Sequence, residues 1–80
     1  MKKEEIIFEI ICNDDKVIKE AISEYNNIYH TDFYIIEVIY NEVIFAKIRV
    51  SNYKISNIFD LGYYFHSLVT LKRQKGEIDW

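Results

Sequence analysis

The residues able to do chemistry are few, and they sit apart. His30 and Asp32 form an H-x-D pair in a short polar connection, and Asp14 and Asp15 lie at a neighbouring turn. Together they could be drawn around a metal ion. Turn carboxylates of this kind more often accept hydrogen bonds from the free amides of a starting helix, so a solvated turn with helix-capping acids is the reading adopted. Cys12 is the only cysteine, so neither an intramolecular disulfide nor a multi-cysteine zinc site can form. Alternation places Cys12 on the core side of a strand, where a thiol is a small hydrophobe, and catalytic pairing with His30 or His66 is not expected. His66 has no acidic residue three or four positions away, so nothing supports a triad. Gly62 and Gly76 are the only glycines and do not make a phosphate loop. Glu5, Glu9 and Glu37 share a face with Lys47 and Arg49, and a salt-bridged surface explains them more simply than an acid pair. The expectation is a chain that is not an enzyme and that needs no metal or cofactor.

Size and composition narrow the classes further. Eighty residues make a single domain, 1–80. A chain this short hides only about 60–65% of its unfolded surface. With 50% of its residues hydrophobic, it is not disordered, and it cannot bury all of them within itself. A net charge of -3 weighs against a general nucleic-acid binder, which needs basic surface. The Met1-Lys2-Lys3-Glu4-Glu5 start is not that of a signal peptide, and no apolar run approaches the roughly 20 residues that span a bilayer. The expected compartment is the cytoplasm, with no membrane partner. Abundant Ile, Lys, Asn and Tyr, with no proline, point to an AT-rich genome, such as that of a low-GC bacterium or one of its mobile elements.

Periodicity supplies the elements. Glu5 to Cys12 alternates, with Ile6, Phe8, Ile10 and Cys12 on one face. Asn13-Asp14-Asp15 stops that strand and caps a helix from Asp15 to Tyr29, whose apolar side is Val17, Ile18, Ala21, Ile22, Tyr25, Ile28 and Tyr29. Two strands follow between Phe33 and Val50. Their even positions, Tyr34, Ile36, Val38, Tyr40, Ile44, Ala46, Ile48 and Val50, carry no charge and read as the core face. A three-residue loop, Tyr40 to Glu42, keeps the two faces pure and sets Glu37 opposite Phe45 and diagonal to Lys47. Ser51 to Ser56 is a polar connection with Tyr53 and Ile55 as packing anchors. Ser56 or Asn57 then caps a helix from about Ile58 to Lys75. Its core stripe is Ile58, Leu61, Phe65, Leu68 and Val69, with Gly62 allowing close approach to the sheet and Gly76 as the stop. Glu77-Ile78-Asp79-Trp80 alternates once more and could add a stub of strand.

The order β-α-β-β-α, with short right-handed connections, predicts an α+β two-layer sandwich: a three-stranded, antiparallel-rich sheet with both helices on one face. In outline this resembles a ferredoxin-like unit whose last strand is missing or vestigial. Its other sheet face would be bare, and would carry Glu5, Ile7, Glu9, Ile11, Phe33, Ile35, Glu37, Ile39, Val43, Phe45, Lys47 and Arg49. That face is too apolar for plain solvent and too charged for a core.

The candidate partner-binding residues are Phe33, Ile35, Glu37, Phe45, Lys47 and Arg49 on this face, Phe59 and Tyr63 on the last helix, and Trp80. Phe59 and Tyr63 are either covered by the preceding loop or anchor a partner. The expected function is a small non-catalytic protein-binding domain, such as an inhibitor, an immunity-type protein or an accessory subunit. Its partner is another protein or a second copy, as a homodimer. The alternative is an RNA or single-strand binder that stacks bases on Phe33 and Phe45, with phosphates on Lys47 and Arg49. Glu5, Glu9 and Glu37 would oppose it, and the third strand lacks a glycine-aromatic signature.

Overall fold

The computed structural model describes residues 4–79, so Trp80 lies outside the described residues. The elements are β1 (Ile6–Cys12), α1 (Asp15–Tyr29), β2 (Tyr34–Tyr40), β3 (Ile44–Val50) and α2 (Ile55–Gln74). The three strands form an antiparallel open sheet in the order β1-β3-β2, with both helices on one side, as the β-α-β-β-α reading requires.

Local chemistry explains where the helices begin and end. Asp14 is the N-cap of α1, and its Oδ1 accepts the amides of Lys16 and Val17 at 2.9 and 3.3 Å. The helix α2 starts three residues before the expected position. Its N-cap is Lys54, whose side chain cannot accept a hydrogen bond, and the Oδ1 of Asn57 reaches back to the Lys54 amide at 2.7 Å. At the other end Gly76 adopts φ +76°, its amide donates to Arg73 O, and the Glu77 amide donates to Lys72 O. This pair of bonds is a Schellman stop, which needs the left-handed residue that glycine supplies. Residues 77–79 form no strand, although Ile78 packs on the core.

The core lies between the helices and the sheet. Val17, Ile18, Ala21, Ile22 and Tyr25 of α1, Leu61, Phe65 and Val69 of α2, and Cys12, Ala46, Ile48 and Val50 of the sheet are all buried. Ile28, Tyr29 and Ile55 are corrections: all three are exposed. Gly62 does not mark a close approach, since a Cβ added there would meet nothing within 4 Å. Phe65→Ala and Phe8→Ala are each expected to lower stability by about 3–5 kcal/mol, with half-buried Phe8 at the lower end. Denaturant unfolding measures this, and near-neutral values would overturn the assigned core face.

The hairpin loop has three residues, as expected, but it runs from Asn41 to Val43, one residue later, because Tyr40 pairs with Ile44. Glu37 therefore faces Lys47 and not Phe45. Ile36 is a β-bulge: Ile35 pairs with Ile48 while Glu37 pairs with Lys47, leaving Ile36 as the extra residue. The bulge exchanges the faces of β2. Beyond it, Val38 keeps the core side opposite buried Ala46, but Tyr40, expected in the core, is 66% exposed at the end of the sheet. Before it, Phe33 and Ile35 turn inward, and Tyr34 turns outward.

Candidate functional site

Phe33 and Ile35 are thus removed from the open face. Phe33 is 3% exposed. Its ring meets Tyr25 and Phe8 edge-on, with centroids at 5.8 and 6.1 Å. Its backbone is held by Asn26 of α1, whose amide nitrogen donates to Phe33 O at 2.8 Å and whose oxygen accepts the Phe33 amide at 2.9 Å. The side chain of Asn26 thus pairs with Phe33 as a neighbouring strand would, and the ring is directed into the core. Ile35 lies opposite buried Ile48 and packs on the same cluster.

The face that remains open reads as three rows across β1, β3 and β2. The first is Ile7, Arg49 and Tyr34. The second is Glu9, Lys47 and Glu37. The third is Ile11, Phe45 and Ile39. In the first row Arg49 is satisfied within the sheet: Nε lies 3.6 Å from Glu5 Oε2 and the guanidinium lies 5.5 Å from the Tyr34 ring. In the second row Lys47 has a carboxylate opposite it on each side, so the centre of the face is net acidic. The third row is wholly apolar. Ile11 is exposed there, while Phe45 and Ile39 are half-buried, and Val43 of the hairpin loop is exposed as well. The hairpin end of the sheet therefore carries an unbroken apolar row with the charged row beside it, while exposed Ile7 and Tyr34 flank Arg49 at the other end.

On the helical side, Phe59 and Tyr63 are the most exposed of the large hydrophobic residues described, at 75% and 74%. The loop before α2 does not fold over Phe59. Instead Tyr53 turns inward, and its hydroxyl donates to Glu4 O at 3.0 Å.

Of the residues considered for chemistry, Asp32 and His30 have structural partners. Asp32 clamps the start of the β3–α2 connection: its carboxylate accepts the Ser51 hydroxyl and the amides of Ser51 and Asn52. Burial acts to raise its pKa, but these hydrogen bonds outweigh burial and hold the carboxyl below its ordinary value. Stability from this clamp is present above the unfolded-state pKa of about 3.9 and is lost as pH falls through the lower folded-state value. Asp32→Ala is expected to cost about 1 kcal/mol at neutral pH, a figure kept small because the residue faces solvent, and to flatten the acid limb of the stability curve. An unchanged pH dependence of unfolding would show that the clamp contributes nothing. His30 caps α1 in the left-handed conformation at φ 57°, and its carbonyl accepts Asn52 Nδ2.

Cys12 and His66 line one shallow depression of about 190 Å³, together with Ile11, Phe65, Val69 and Arg73. Burial, then the charges of Asp14 and Asp15, raise the Cys12 pKa, which favours the thiol over the reactive thiolate. Among the described residues no cluster of three His, Cys, Asp or Glu could hold a metal ion, and no helix is long and apolar enough to cross a membrane. No family model, curated protein or solved structure matches the chain.

Proposed function

We propose that the chain is a non-catalytic protein-binding domain whose docking surface is the hairpin end of the open sheet face. The observation that carries this reading is the uninterrupted apolar row of Ile11, Phe45 and Ile39 on a face that no helix covers. An apolar centre with charged groups at its margin is the layout of a protein interface. The acidic centre of the neighbouring row favours a partner with a basic rim, the situation of an inhibitor, immunity-type protein or accessory subunit that occupies a basic groove. A second copy of the chain is the simplest alternative occupant. The base-stacking reading loses one of its two rings to the core, since Phe33 is buried, and Lys47 stands between two carboxylates. The test is binding after a charge is placed in the apolar row, by Phe45→Glu, compared with the same charge at Tyr34, which lies in the row farthest from the hairpin. Loss in the first variant alone supports the reading, and equal retention in both overturns it.

A further inference from the structure

A shallow groove of about 490 Å³ lies where the end of α1 meets the start of α2, lined by Tyr29, Ser56, Asn57, Phe59, Asp60 and Tyr63. Three of these six are aromatic, and one is a carboxylate. The carboxylate is held in place: Asp60 Oδ2 accepts the Tyr25 hydroxyl at 2.8 Å, and that hydroxyl accepts Asn57 Nδ2 at 3.1 Å. Tyr25 is itself fully buried, so the relay is anchored in the core and Asp60 has little orientational freedom left to lose on binding. Among the described residues no Lys, Arg or His forms an ion pair with Asp60. The last turn of α1 carries no basic residue, and the first turn of α2 carries no acidic one. The two helix ends that meet there have opposite partial charges and offset one another, which leaves the carboxylate to set the sign of the groove. Ile28 and Ile55, next in sequence to the lining residues Tyr29 and Ser56, are also exposed.

We infer that this groove receives a lysine or arginine side chain of a protein partner, with its charge on Asp60 and its stem against Tyr29, Phe59 and Tyr63. Aromatic rings and a carboxylate both attract a cation, and the apolar surroundings suit the methylene stem of a basic side chain. The inference rests on the reading of the chain as a protein-binding domain and adds a second contact, in the helical layer.

The test is a chemical-shift titration of the folded chain with N-acetyl-arginine amide, beside its neutral isostere N-acetyl-citrulline amide and beside choline. The arginine probe is expected to shift Tyr29, Phe59 and Tyr63 saturably, with the citrulline probe about three- to fivefold weaker. Asp60→Asn keeps an acceptor for the Tyr25 hydroxyl and removes the charge, and is expected to cost the arginine probe a similar factor. Phe59→Ala, at a side chain free of the core, is expected to weaken both charged probes. Equal binding of arginine and citrulline, no effect of Asp60→Asn, or no saturable shift overturns the inference. Choline binding more tightly than arginine would assign the groove to a quaternary ammonium headgroup and would also overturn it. A silent groove in a chain whose Phe45→Glu variant still loses its partner leaves the sheet-face reading standing, which separates the two failures.

Discussion

Phe33→Ala is expected to lower the stability of the domain by about 3–5 kcal/mol, the range for a buried phenylalanine truncated to alanine. The ring touches both Tyr25 and Phe8, and its backbone is held by Asn26, so its removal opens a space bordered by two other rings that the backbone cannot shift to fill. With so short a chain, a loss of this size is a large part of the total. Denaturant unfolding followed by circular dichroism reads it directly. A cost below about 1 kcal/mol would mean that Phe33 faces solvent, as uninterrupted alternation along β2 would have it, and that the bulge at Ile36 is wrong.

Phe45→Glu is expected to do the opposite: to leave the fold in place at a cost of about 1 kcal/mol and to weaken partner binding about 30-fold or more. Phe45 stands between Ile11 and Ile39 in the apolar row, so the introduced carboxylate would have to be desolvated in any complex that covers the row. The pair of variants is more informative than either alone. Phe33 and Phe45 are both aromatic residues at odd positions of one hairpin, and the structure assigns them opposite faces. If Phe45→Glu unfolds the domain, the odd positions of β3 face the core, and the whole assignment of the sheet reverses.

The same contrast shows which parts of the fold were legible. In β1 and β3 a charged residue marks the outer face, Glu9 in one and Lys47 and Arg49 in the other, so alternation alone orients both strands. Asp14 before the Val17–Ile18 pair and Gly76 after Val69 announce helix ends by chemistry that the structure repeats. Phe33 to Ile36 has no such marker. Four apolar residues in a row fit either face, and a one-residue bulge inside them leaves no trace in the pattern. What decides the face is tertiary: the bond pair from Asn26 and the rings of Tyr25 and Phe8. The early start of α2 was hidden for a similar reason. Lys54 does not look like a cap, because the capping oxygen belongs to Asn57, three residues later.

The candidate surfaces were partly legible. Glu37, Phe45, Lys47 and Arg49 lie on the open face as the sequence implies, and Phe59 and Tyr63 are exposed. The alignment of Ile11, Phe45 and Ile39 in one apolar row at the hairpin end depends on register. So does the position of Lys47 between Glu9 and Glu37, because the loop runs one residue later than alternation suggests. The carboxylate of Asp60 in the aromatic groove has no sequence signature either. It depends on α1 and α2 meeting at Tyr25, whose hydroxyl reaches across to the second helix.

The most direct measurement is the mass, by light scattering, of the complex recovered on tagged chain from a lysate of the native host after nuclease treatment, with wild type beside Phe45→Glu. A stoichiometric protein complex on the wild type, reduced to the bare and folded chain by Phe45→Glu, is the predicted result. The same complex on both, or a complex that disappears with nuclease, would contradict the docking of a protein on the open sheet face.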